Sequence, residues 1–194
     1  LSSSSAASDV YKRQTLFCNG EPVDSIEQEF GIRSYRIDAD NGFFLNGKPY
    51  PLHGVNYHQD SYESGWAMTG AQRERDYRII RDMGCTAVRM AHYQHCDHEY
   101  SLCDRLGLCV WTEIGIINKM SADDSDAHVL SDGFGDNAKQ QLRELIRQNY
   151  NHPSVIVWGL FNELYQMTNE IFGLYSELYA VSYTHLRAHE TLAN

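Results

Sequence analysis

Ten residues, VIVWGLFNEL at 155–164, run from β-branched and aromatic side chains straight into Asn162 and Glu163. A carboxylate at the end of an apolar strand has two bland uses, capping the helix that follows or pairing with a cation. Its chemical use is proton transfer: a carboxyl in a partly apolar pocket can hold its proton near neutrality and act as a general acid. Asn162 beside it can donate a hydrogen bond to a hydroxyl. Paired carboxylates, one giving a proton while the other attacks or activates water, are the machinery of glycoside hydrolysis. Glu113, the last residue but one of LCVWTEI (108–114), is the other carboxylate placed in this way. It could be the nucleophile or could orient other groups, and spacing alone does not choose.

Histidines and aromatics surround these carboxylates in the sequence. MAHYQHCDHEY holds His92, His95, Cys96 and His98 within seven residues. That cluster allows a metal-dependent hydrolase, but its spacing matches no standard zinc site. His92 and His58, each at the end of a strand-like segment, suit contact with a sugar or serve as ordinary loop histidines. Trp66, Trp111 and Trp158 pack a core by default, and sugars stack on such faces.

The elements that must carry these residues follow from periodicity. Two turn signals, Asn41-Gly42 and Asn46-Gly47, punctuate short strand-like runs between Glu29 and Leu52. DADNG at 38–42 has the look of a calcium-loop start, yet lacks that motif's later spacing, so it reads as a hairpin turn. Beyond it, strands are expected at 52–58, 86–92, 108–114 and 154–160. Helices are expected after Thr69, with Tyr77, Ile80 and Met83 on one face, over 98–107, over 137–151, and from Glu170 onward. A long polar loop is expected from Gly115 to Gly135. Alternating strands and helices imply a parallel sheet, closed as a (β/α)8 barrel or open and doubly wound. No glycine-rich phosphate loop follows a strand, which disfavours nucleotide binding. Asn56, His58, Arg89, His92, Glu113, Asn162 and Glu163 all gather at C-terminal strand ends, the catalytic face of a barrel. Four strands make half of one.

The chain has 194 residues, 42% of them hydrophobic, and a formal charge of −10. This is a globular composition without the basic stripe that a nucleic-acid partner requires. No apolar run reaches the 18 residues or so of a membrane span. Five irregularly spaced cysteines suggest reduced thiols and a cytoplasmic setting. Both ends, LSSSSAASDVYKRQ and VSYTHLRAHETLAN, resemble translated adapter sequence, so residues 1–14 and 181–194 are expected to be non-native flanks.

FFLNGKPYPLHGVNYHQD, GCTAVRMAHYQH, LCDRLGLCVWTEI and NYNHPSVIVWGLFNE resemble, in order and spacing, the catalytic domain of glycoside hydrolase family 2. The resemblance covers roughly residues 27–180. It implies a TIM barrel truncated to about its first four βα units (38–180), preceded at 15–37 by the end of an immunoglobulin-like β-sandwich. It also implies a retaining exo-glycosidase with Glu163 as acid/base, Asn162 on the sugar 2-hydroxyl, His58 and His92 lining the sugar subsite, and Arg89 supporting the carboxylates. Trp111 is added as a substrate-binding aromatic. The family's nucleophile glutamate lies on a later strand, which leaves Glu113 outside that role. The stretch IGIINKM lacks the glutamate and histidine that hold magnesium in some members, so neither metal nor cofactor is expected. HQD and AHYQH favour a β-galactoside over a β-glucuronide. A carbohydrate is the expected partner, a homo-oligomeric full-length parent is left open, and an inactive, sugar-binding remnant is the non-enzymatic alternative.

Overall fold

A computed structural model describes residues 10–118, 132–164 and 168–190. The chain opens with a hairpin of β1 (Val10–Cys18) and β2 (Glu21–Phe30), turned by Asn19 and Gly20 in left-handed conformations. The hairpin therefore begins inside the segment set aside as a flank. A three-stranded antiparallel sheet follows: β3 (Tyr35–Asp38), β4 (Gly42–Leu45) and β5 (Lys48–Pro49). Asn46 and Gly47 both have positive φ, the two-residue hairpin geometry that this dipeptide favours. The DADNG turn is built as expected: the Asp38 carboxylate accepts hydrogen bonds from the backbone of Asp40 and Asn41.

The segments β6 (Gly54–Tyr57), β7 (Ala87–Met90), β8 (Cys109–Glu113) and β10 (Val155–Gly159) form one parallel sheet in the order β6-β7-β8-β10. Side chains alternate across β6, β7 and β8 as the pleat demands, and an irregularity between Val155 and Val157 puts these two residues of β10 on opposite sides. Val88, Met90, Val110 and Val155, at 0–1% exposure, face the helices. Each contributes about 1.5–3 kcal/mol through burial. Leu52, Asn56, Arg89, Trp111 and Val157 line the opposite side, an open hollow of about 460 Å³.

The helices cover the buried face. Thr69 caps α1 (Gly70–Asp82) through a complete capping box with Gln72. Tyr77 and Ile80 are buried as expected, whereas Met83 is 65% exposed. Met83 falls on the C-cap, where the helix has already ended and its periodicity no longer applies. Gly107, left-handed, stops α2 (Asp97–Leu106). α3 (Phe134–Asn149) packs Ala138, Leu142, Leu145 and Ile146 against Leu174 and Leu178 of α4 (Asn169–Glu190). α4 runs on past residue 180, where the sequence pattern had ended it. Residues 119–131 of the expected 115–135 loop lie outside the described residues. The described part includes a short strand, β9 (Ile117–Asn118), which pairs with β11 (Asn162–Leu164).

His152 fastens the second βα unit to the fourth strand. Its Nδ1 lies 2.6 Å from Asp104 Oδ2, its Nε2 lies 3.4 Å from Asp97 Oδ1, and its ring stacks on Tyr100. The other Asp104 oxygen accepts from the Ser154 backbone at 2.9 Å, just ahead of β10. Burial opposes a charge on this imidazole, but the hydrogen bonds and charges of Asp104 and Asp97 outweigh it and raise the pKa above its ordinary 6.5. A folded-state pKa above the unfolded value makes a stabilising contribution that is complete below the unfolded pKa. That contribution is lost as pH rises through the folded pKa. The expected result in urea denaturation is that His152→Gln loses more stability relative to the parent at about pH 6 than at about pH 9. An equal loss at both pH values would contradict the charged clasp.

Candidate active site

Glu113, at the C-terminal end of β8, is wholly buried. An isolated buried carboxylate would cost several kcal/mol, so its partners decide whether the strand end is tolerable. Arg89 Nε, one strand over on β7, donates to Oε1 at 2.5 Å. His92 Nδ1 sits 3.0 Å from Oε2. Both oxygens are therefore engaged, which suits a group that orients others and does not suit a nucleophile. A carboxylate against His92 Nδ1 fixes the proton on that nitrogen and leaves Nε2 as the acceptor.

Arg89 reaches further. Its Nη2 donates to Asn162 Oδ1 at 3.0 Å, and its guanidinium lies 4.9 Å from the centre of the Trp111 ring. Asn162 is thus aimed from the second strand, with its carbonyl oxygen held by Arg89 and its amide N–H groups left as donors among the described residues. Trp111 is on the same inner face at 42% exposure, with Arg89 across its ring. Close packing maintains the group. A Cβ on Gly159 would fall 2.5 Å from Glu113 Cγ and 2.6 Å from Trp111 Nε1, so only glycine lets β10 run beside both.

Glu163 is presented differently from the expectation. It does not end the fourth barrel strand: β10 stops at Gly159, and Asn162 to Leu164 form β11 against β9. In that pairing Asn162 faces Ile117 and Leu164 faces Asn118, so Glu163 is the extra residue of a bulge. Its φ of +48° is uncommon for any residue but glycine. Bulges and left-handed residues cost energy, and at functional sites they re-aim a side chain. The apolar pocket expected around Glu163 is not seen among the described residues, where its side chain is exposed.

The third rim element is the end of β6. His58 is exposed; its Nδ1 lies 3.2 Å from Tyr93 Oη, and its ring meets the His92 ring edge-on at 5.2 Å. Asn162, Arg89, Glu113, His92 and His58 therefore form one chain of contacts, with Glu163 next to its first member. The histidine–cysteine cluster does not converge. His92 turns to Glu113, while His95 is buried with Nδ1 on Glu99 at 2.7 Å and Nε2 on the Ala91 carbonyl at 3.1 Å. Among the described residues no group of three or more His, Cys, Asp or Glu is arranged to hold a metal ion. Lys119 and Met120 of IGIINKM lie outside the described residues.

Sequence reasoning did not single out Tyr93 or Glu99. Tyr93 could have been flagged by its place between His92 and the Gln94-His95 pair. Glu99 could have been flagged only by its i,i+4 spacing from His95, because its other partners, Arg73 and Tyr77, come from the preceding helix.

Residues 37–190 match the family described as glycosyl hydrolases family 2, TIM barrel domain. A β-glucuronidase of Bacteroides fragilis is 44% identical over 168 residues, which are 87% of this chain and 24% of that protein. A β-galactosidase of Bacteroides ovatus is 32% identical over 152 residues, 78% of this chain and 18% of the relative. The solved structure of a β-glucuronidase from Faecalibacterium prausnitzii L2-6 superposes with a TM-score of 0.79 at 34% identity, over 90% of this chain and 26% of that one. The chain thus spans about a quarter or less of the length of these relatives.

Proposed function

The chain belongs to glycosyl hydrolase family 2, and on that premise we propose that it supplies the acid/base side of a retaining glycosidase acting on terminal β-linked sugars. The observation that carries this reading is the bulge at Glu163, which presents a carboxylate beside Asn162 on a strained backbone. Glu163 gives its proton to the glycosidic oxygen as the bond to the leaving group breaks. A second carboxylate, from outside these 194 residues, attacks the anomeric carbon. Glu163, now ionised, takes a proton from water, which displaces that carboxylate and releases the sugar with its configuration retained. Asn162 donates to the 2-hydroxyl, and His92 Nε2 and His58 contact other hydroxyls. Arg89 and Glu113 hold Asn162 and His92 in place without touching the sugar. The antiparallel strands ahead of residue 38 fit the end of a β-sandwich domain.

For the sugar, similarity to a β-glucuronidase at 44% identity supports a β-glucuronide. The β-galactoside reading of HQD and AHYQH stands second, supported by the Bacteroides ovatus relative. Arg89, the cation in the described contact chain, is already engaged by Glu113 and Asn162. A uronate carboxylate would need a cation from elsewhere in the enzyme. Proton NMR of the complete enzyme on 4-nitrophenyl β-D-glucuronide and β-D-galactoside tests both points at once. The expected outcome is strong preference for the glucuronide and release of the β-anomer first. Preference for the galactoside selects the second reading, α-anomer release overturns retention, and no hydrolysis of either overturns the glycosidase.

A further inference from the structure

Beyond the contact chain, three rings stack from the core out to solvent. His95 is the buried base, held by Glu99, which is itself fully buried and bound by Arg73 Nε at 3.0 Å and Tyr77 Oη at 3.1 Å. Tyr93 lies on His95 with ring centres 5.2 Å apart and planes at 28°. Trp66 lies on Tyr93 at 4.8 Å and 28°. The indole is 63% exposed, so one face rests on Tyr93 and the other is open. Its loop is braced as well: Ser61 and Gly65 exchange two backbone hydrogen bonds at 2.9 and 3.0 Å, and the Ser61 and Ser64 hydroxyls lie 2.8 Å apart. Core packing does not account for a tryptophan in this position, and the stack is anchored too deeply for a loose surface ring.

We propose that Trp66, backed by Tyr93 and His95, is a platform for the leaving group of the substrate, a ring with a flat apolar face that is either an aryl group or a second pyranose. This rests on the glycosidase reading. The terminal sugar occupies the rim at Asn162, His92 and His58, so what projects beyond it toward solvent is the leaving group. Tyr93 joins the two subsites, since its hydroxyl meets His58 at 3.2 Å while its ring carries the indole. A rigid, pre-stacked indole gains contact with a ring without first ordering a flexible side chain.

The test is ligand-observed NMR titration of the complete enzyme, carrying Glu163→Gln to slow hydrolysis, with methyl and phenyl β-D-glucuronide, and with methyl β-D-galactoside, phenyl β-D-galactoside and lactose. The parent is expected to hold the phenyl glycosides roughly three- to tenfold more tightly than the methyl ones, the range of an aromatic stacking contact. Trp66→Ala should erase that preference while leaving methyl glycoside affinity unchanged, and Trp66→Phe, which keeps a ring on Tyr93, should restore part of it. A preference for lactose that also depends on Trp66 identifies a pyranose as an occupant; a preference confined to phenyl identifies an aryl group. A preference that survives Trp66→Ala, or no preference in the parent, overturns the platform. Binding of no glycoside at all overturns the sugar site itself, which separates the two failures.

Discussion

Replacing Glu163 by glutamine is expected to lower hydrolysis of an alkyl β-glycoside by ~10²- to 10⁴-fold, the range of general acid–base catalysis, or ~3–5 kcal/mol in the barrier. An alkoxide is a poor leaving group and must be protonated as the bond breaks, so loss of the acid falls on it in full. A nitrophenolate leaves readily without a proton, so the first step on the nitrophenyl glycoside should suffer far less, and release of the enzyme-bound sugar should become limiting. The alkaline limb of the kcat/KM profile, which reports the protonated acid, should vanish with the carboxyl group. The substitution is isosteric on an exposed residue whose left-handed backbone is set by the bulge, so thermal stability should hold. An alkyl glycoside turned over at the parent rate, or an alkaline limb that persists, would remove Glu163 from the acid role.

The second large effect is on folding and positioning together. Arg89→Met should destabilise the protein by ~3–5 kcal/mol, because it strands a buried carboxylate with one of its two partners. The loss should not be additive. Arg89→Met combined with Glu113→Leu removes both charges and should be less damaging than Arg89→Met alone, as is usual when a whole buried pair is exchanged for apolar groups. Chemical denaturation of the two single variants and the double variant gives the coupling directly. Strict additivity would mean that the 2.5 Å contact contributes little. Activity of the stable double variant should stay low, since Asn162 and His92 lose the groups that aim them.

Local patterns make much of this legible in the sequence alone. Thr69 with Gln72, Gly107, and Asn46-Gly47 each mark a boundary through their own chemistry, and the structure uses each one. The four parallel strands announced themselves by apolar runs that end on polar residues. Met83 misled because helical spacing continues on paper after the helix has ended. β11 was hidden for a different reason: three residues, one in a left-handed conformation, have no periodicity, and their partner Ile117 lies inside a polar loop. The pairing of Glu113 with Arg89 and His92 was equally silent, since strand order and register determine it and neither is written locally. Family resemblance assigned roles to these positions, and the structure shows how the described ones touch.

Because the backbone of β11 pairs with β9 and not with the four-stranded sheet, to which Arg89 ties only the Asn162 side chain, Glu163 is mounted on an outrigger. Changes in the chain that feeds β9 can swing the reach of Glu163 while the inside–outside alternation that folds the barrel stays as it was. Selection can retune the angle of attack and conserve the scaffold separately, since the two are encoded in different stretches of sequence.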